Sequence, residues 1–323
     1  MNTRYSDVYD GYIESPSSSE VIAKFKKELE SKASNNYEKW SDFEMGMADY
    51  AKRLSSEDEF VQCVRDFKGY MVKHLIDENE IFANFISRTQ NVKPVLEELD
   101  RSLEHFYDGL IPNDVNKIKA ILLDSNIERN YITFNYTTSL ETLFILRLKT
   151  SRVLENVPIH IHGQLGSDIV LGVDDPDQLL GTSYLLTKKG ERAFVKPIFN
   201  ELYDNARVES AKKAIFESSI ICMYGFSMGE SDNTWVWMLS DWLQADKNHH
   251  LIVYKYDSPK CSPHNYDEIM EIEEQLKLDL LTKRLQIEDT SVLDQIHIPV
   301  GRDIFNFVFT ETHGATSPYL HQL

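Results

Sequence analysis

Tyr131–Glu141, YITFNYTTSLE, carries the change of pattern on which the fold turns. Tyr131, Ile132, Thr133 and Phe134 are β-formers, Thr137, Thr138 and Ser139 offer N-cap oxygens, and Leu140, Leu143 and Phe144 then share one helical face. A strand therefore runs into a helix, with the polar pair Asn135-Tyr136 at the strand's carboxyl end. In an open parallel sheet that edge is where ligands bind, because loops and helix N-termini converge above it.

Downstream, strand and helix alternate. The pattern predicts strands at 131–135, 158–162, 169–172, 220–224, 250–256 and 295–299, with helices at 140–148, 196–218, 234–243 and 266–286. Such alternation specifies an α/β class with a mostly parallel sheet and helices on its faces. Upstream the texture is helical. Phe60, Cys63, Val64, Phe67, Met71, Leu75, Phe82 and Phe85 recur near a 3.6-residue period, and further helices are predicted at 21–29, at 95–110 behind Pro94, and at 114–123. Residues 21–125 thus read as a helical layer or insertion in one α/β domain spanning 1–323. Residues 1–20 are polar and aromatic and close on the turn cluster Ser15-Pro16-Ser17-Ser18-Ser19, and the tail from Phe309 reads as loosely structured.

Composition narrows the partners. With 323 residues and 42% hydrophobic content the chain can bury a sizeable core. A net charge of −18, from 52 acidic and 34 basic residues, disfavours nucleic acid held on a broad basic surface and favours a small molecule or a protein. No window approaches the ~20 apolar residues that span a bilayer, and the opening lacks a basic segment followed by an apolar one, so a cytoplasmic protein without a membrane partner is expected. Cys63, Cys222 and Cys261 are far apart, as suits structural thiols in a reducing compartment.

Three further constellations carry chemistry. In Ile159-His160-Ile161-His162-Gly163 the two imidazoles share one strand face. No second His/Cys cluster stands at ligand spacing, so no metal is expected. A satisfied structural side chain suits His160, and general-base work suits His162, next to a glycine at a strand end. In Tyr224-Gly225-Phe226-Ser227-Met228-Gly229-Glu230-Ser231-Asp232 an apolar strand enters a glycine loop and then a helix, an arrangement that presents backbone N–H groups to a phosphate or ribose. Asp232 is open to two readings, N-cap or ligand contact. The same loop has the GxSxG spacing of a nucleophile elbow, for which Asp257 and His297 are the tidy triad partners. Finally, Trp40-Ser41-Asp42-Phe43-Glu44 heads an amphipathic helix with Phe43 and Met47 inward and Glu44 solvated or paired.

Taken in order, NTRYSDVY at the start, WSDFE, ITFNYTTSLE, HIHG with the later VLG, and GFSMGESD resemble the AbiH family of bacteriophage abortive infection proteins. The resemblance covers most of residues 1–255. It implies a Rossmann-like, sirtuin-like α/β fold around NAD or a related nucleotide, and a role in anti-phage defence triggered by a phage or host protein, with homo-oligomer assembly left open. Carried over residue by residue, Asn135 and His162 take the catalytic roles. Thr133, Asn135, Tyr136, Gly163, Gly225, Ser227 and Asp232 surround the nucleotide, whose N-glycosidic bond would be hydrolysed. Non-catalytic nucleotide sensing or partner binding is the alternative, with a GxSxG esterase behind it. Chains of the family also open with an apolar strand and a GNGFD-type glycine loop just before the segment like NTRYSD, which stands here at the start, so that strand and loop are expected to be missing.

Overall fold

A computed structural model describes residues 5–33, 40–123, 127–179, 181–182, 187–203, 205–255, 259, 262 and 265–305. The first half is helical: α1 (Tyr5–Glu14), α2 (Glu20–Ala33), α3 (Trp40–Ala51), α4 (Glu57–Ser87), α5 (Thr89–Glu104) and α6 (Pro112–Leu123). α4 is its axis. Ser56 caps it by accepting from the Glu59 N–H, and the predicted stripe Phe60, Cys63, Val64, Phe67, Met71, Leu75 is buried along one side. Against that stripe pack Phe25 and Leu29 of α2 and Phe43 and Met47 of α3.

α1 is a helix that the sequence pattern did not signal. Its Val8, Tyr9 and Tyr12 enter the same core, Tyr12 edge-on to Phe67 at 5.0 Å with its hydroxyl donating to Asp66 at 2.9 Å. Tyrosines that bury their rings while keeping a polar partner make a buried face look polar in sequence. Pro94 also departs from expectation. It lies inside α5, near enough to the start that one lost hydrogen bond does not stop the helix, which ends at Glu104 rather than at 110.

Strand and helix then alternate as predicted: β1 (Ile132–Thr133), α7 (Ser139–Ser151), β2 (Ile159–His160), α8 (Lys188–Phe194), α9 (Lys196–Tyr203), α10 (Asn205–Phe216), β3 (Ile220–Tyr224), α11 (Asn233–Ala245), β4 (His250–Tyr254), α12 (Tyr266–Leu280) and β5 (Ile296–His297). The sheet is where expectation and structure part. Among the described residues there are two small parallel sheets instead of one continuous sheet, β1-β2 in register Ile132↔Ile159 and β3-β4-β5 in register Cys222↔Ile252↔His297. The architecture is therefore mixed α/β with small parallel sheets.

Two further elements are corrected. Residues 169–172 form no strand; they are buried, held by the Val170 N–H to the His162 carbonyl at 2.7 Å and by an isolated bridge between Val173 and Val195. The single helix predicted over 196–218 is two, α9 and α10, and α8 precedes them. Asp257 and the tail from Phe309 lie outside the described residues.

β5 is pinned by a buried polar chain. Asp114 of α6 faces His297 Nδ1 at 2.8 Å, and His297 Nε2 lies 2.9 Å from His250 Nδ1 on β4. Lys117 and Lys277 also face Asp114, at 3.0 and 3.8 Å. Burial and the His297 ring beside it push His250 down to about 4. Burial alone would raise Asp114, but His297 and the lysines outweigh it and hold the carboxyl well below its ordinary value. The sign is the same for both groups, because each binds fewer protons folded than unfolded. Stability is therefore full above about pH 6.5 and falls as pH drops towards 4, with Asp114 adding a further loss below its ordinary value near 3.9. Urea unfolding should show a loss on the order of 1 kcal/mol between pH 7 and 5 that His250→Gln removes. An unchanged slope in that variant would show that His250 does not set it.

Candidate functional site

Two of the most deeply buried charges among the described residues meet where the helical layer touches the α/β half. Glu44 on α3 and Lys196 at the start of α9 are each 3% exposed. The Lys196 ammonium donates to Glu44 Oε2 at 2.8 Å, to the Ser231 carbonyl at 2.9 Å and to Asp232 Oδ1 at 2.9 Å. The other Glu44 oxygen, Oε1, accepts from the Gly172 N–H at 2.9 Å. His162, 6% exposed, completes the group, its Nε2 lying 3.0 Å from Asp232 Oδ1 without the alignment of a hydrogen bond.

Burial by itself would lower the Lys196 ammonium, but Asp232 and Glu44 outweigh it and hold it above the ordinary lysine range. Burial would raise Asp232, and Lys196 with His162 outweighs it, so the carboxyl stays ionised well below its usual range. Asp174 goes the other way. Burial raises it more than its hydrogen bond from the Thr234 N–H lowers it.

Tight backbone positions make this convergence possible. Gly163 has φ +77°, and a Cβ there would stand 1.8 Å from the Asp168 carbonyl oxygen. Gly172 has φ +145°, and a Cβ there would stand 1.9 Å from the Phe194 carbonyl oxygen. Only glycine lets segment 163–174 lie against α8 closely enough for Gly172 to reach Glu44.

A second feature opens beside this network. Between β1 and β3 runs a groove of about 230 Å³, lined by Ile132, Thr133, Phe134 and Asn135 on one side and by Ile221, Met223, Gly225 and Phe226 on the other, with Trp235 and Leu239 of α11 also contributing. Phe134 stacks on Phe226 at 4.1 Å and turns its ring edge-on to His162 at 5.2 Å. One aromatic ring thus separates groove and imidazole.

The family model described as bacteriophage abortive infection AbiH matches residues 1–254. The chain belongs to the AbiH family. No curated protein matches it. No solved structure matches it either.

In this AbiH-family chain five of the eight predicted site residues fall into two groups. Thr133, Asn135 and Gly225 line the groove, while His162 and Asp232 belong to the buried network. Asn135 is exposed; its backbone N–H donates to Thr133 Oγ1 at 3.1 Å, its main-chain carbonyl accepts from His160 Nδ1 at 2.7 Å, and its side-chain amide makes no hydrogen bond to the described residues. Tyr136 is buried, its hydroxyl donating to the Val170 carbonyl at 3.2 Å and its ring 6.0 Å from His162. Gly163 serves the close packing already described. Ser227 is exposed and lines neither feature. His160 fits the structural reading, since its second nitrogen faces Glu141.

Three readings that the sequence left open are narrowed by the structure. Asp232 does not cap α11 through its side chain, which is turned to Lys196 and His162; Asp174, from a distant loop, accepts from the Thr234 N–H instead. Of the two readings of Glu44, solvated or paired, the structure bears out the paired one, with the side chain buried. The hydrolase triad lacks its histidine, because His297 is fully buried between Asp114 and His250, and the left-handed backbone within GxSxG falls on Gly225 (φ 68°) and Met228 (φ 52°) and not on Ser227. Lys196 and Asp174 were missed. The one local signal was Lys196-Pro197 opening a helix, since a lysine at a helix N-terminus opposes the macrodipole and needs another reason to be there.

Gly172→Ala should cost about 3 kcal/mol, from overpacking against a backbone oxygen at a left-handed φ. Gly69→Ala, in mid-α4 with nothing within 4 Å, should stabilise by about 0.5–1 kcal/mol. Urea midpoints of the two variants that move the same way would refute this contrast.

Proposed function

We propose that this AbiH-family chain acts in abortive infection against bacteriophage by hydrolysing the N-glycosidic bond of NAD or a related nucleotide, held where β1 and β3 end. A sirtuin-like arrangement of the two sheets about that nucleotide belongs to the same reading. The observation that carries it is His162 beside the ionised Asp232, one ring away from a groove lined by Thr133, Asn135 and Gly225. N-glycosidic cleavage passes through an oxocarbenium-like state, in which positive charge develops on the ribose as the base departs. An imidazole positioned by a carboxylate can take the proton of the attacking water or of a ribose hydroxyl, and an exposed amide can orient that hydroxyl. The buried cluster sets two carboxylates, Glu44 and Asp232, against the single ammonium of Lys196, and the surplus negative charge favours a cationic transition state. For substrate to reach His162 the Phe134 ring must turn aside, a side-chain motion at the groove wall.

A second reading, nucleotide sensing without turnover, is favoured by the burial of His162 behind that ring. A phage or host protein as trigger is compatible with both. Purified protein mixed with NAD should release nicotinamide, at a rate that falls ~100-fold or more in His162→Ala. Absence of release together with an NAD-dependent rise in melting temperature would replace hydrolysis by sensing. If neither is seen, and His162→Ala and Asn135→Ala still protect cells from phage, the chain is a partner-binding component.

A further inference from the structure

We infer that Lys196, with Glu44 behind it, is the positioning residue for His162: it keeps Asp232 turned to the imidazole and ties that imidazole to the helical layer. This rests on the reading of His162 as the working base, and it assigns a role to two residues outside the groove. Asp232 Oδ1 is shared, lying 2.9 Å from Lys196 Nζ and 3.0 Å from His162 Nε2. Lys196 is in turn fixed from behind by Glu44 Oε2 and from the side by the Ser231 carbonyl. The order is thus Glu44, Lys196, Asp232, His162: an anion, a cation, an anion and then the titratable imidazole, all with little solvent exposure. Around the imidazole the titratable groups are Asp232 from the α11 entry, Lys196 from α9, Glu44 from α3, Asp174 against Asp232, and the Tyr136 hydroxyl group.

Alternation makes the inference testable by sign. Lys196 is a cation one carboxylate away from the ring and opposes a second positive charge there. Glu44 is an anion that offsets Lys196. Removing Lys196 leaves the imidazole as the only cation available to Asp232, so it binds its proton more tightly. Neutralising Glu44 leaves Lys196 less compensated, so the imidazole binds its proton less tightly. A purely structural role predicts no such opposition, because loosened packing moves both variants the same way, towards water.

Glu44 stands on α3 beside Phe43 and Met47, which belong to the helical core.

The test is histidine ring NMR of the full chain across pH, without nucleotide, with the His162 signal assigned by its disappearance in His162→Gln. Lys196→Met should move the titration midpoint of that signal up, Glu44→Gln should move it down, and Lys196→Arg should restore it. Each shift should be about one pH unit, tenfold in proton affinity. Shifts of the same sign, or a midpoint unmoved in both, would overturn the inference. Should Lys196→Met fail to fold, Glu44→Gln decides alone, downward in favour and unmoved against. Nicotinamide release plays no part in this readout, so a failure of the hydrolysis reading leaves the result legible.

Discussion

An ammonium held away from water by two carboxylates is the constraint on which the rest of the structure depends. Moving a charge from water into the interior costs several kcal/mol even after relaxation, and only close, well-directed counter-charges and hydrogen bonds repay it. Lys196 meets those terms with three acceptors within 2.9 Å. Removing a single partner would strand an uncompensated buried charge, which costs about 3–5 kcal/mol, whereas the intact cluster adds little net stability. Its effect is to fix arrangement: α3, α9 and the entry to α11 have one relative position that satisfies every charge.

That requirement organises segment 160–174. The chain leaves β2 at His160, turns at Gly163, passes buried through Ile169, Val170 and Leu171, and places the Gly172 N–H on Glu44 before Asp174 closes on Thr234. This segment has few ladder hydrogen bonds, so side chains and the Glu44 carboxylate hold it. His160 through Nδ1, His162 through its carbonyl and Tyr136 through its hydroxyl all bind main chain of the loops around it. The imidazole of His162 lies among the Phe134 and Tyr136 rings and the Asp232 carboxylate, and the Phe134 ring is the thin wall between it and the groove.

Histidines of this fold stand in two kinds of surroundings. His160 faces Glu141 and a carbonyl, His297 is enclosed by Asp114 and His250, and His249 stacks on Trp242 while facing its carbonyl. Each of these rings ties one element to another. His162 differs in having its second nitrogen near a shared carboxylate rather than in a linear hydrogen bond, next to a groove. The exposed Ser227 has no such surroundings, and its motif resolves into a turn that leads Asp232 to the network.

Local pattern determined a good deal. The β-formers of 131–134, the Thr and Ser residues after Tyr136 and the apolar face beyond them specified a strand, a loop and a helix, although Thr138 stands at the N-cap of α7 without a side-chain hydrogen bond, and the run Ile220–Tyr224 was bounded by the sequence where the strand is bounded in the structure. Such features depend on neighbours within one or two turns, and one chain displays them directly. The alternating texture also named the class, and the order of motifs named the family. Tertiary structure alone decided that the strands form two small sheets, that Glu44 meets Lys196 across 152 residues, and that Asp174 caps a helix 60 residues away. In sequence a lysine or a glutamate reads as solvated because burial is costly; only packing that supplies a counter-charge from elsewhere reverses the balance. The stretch Tyr131–Glu141 contained the strand end and its Asn135, and the fold supplied the buried charges that stand behind them.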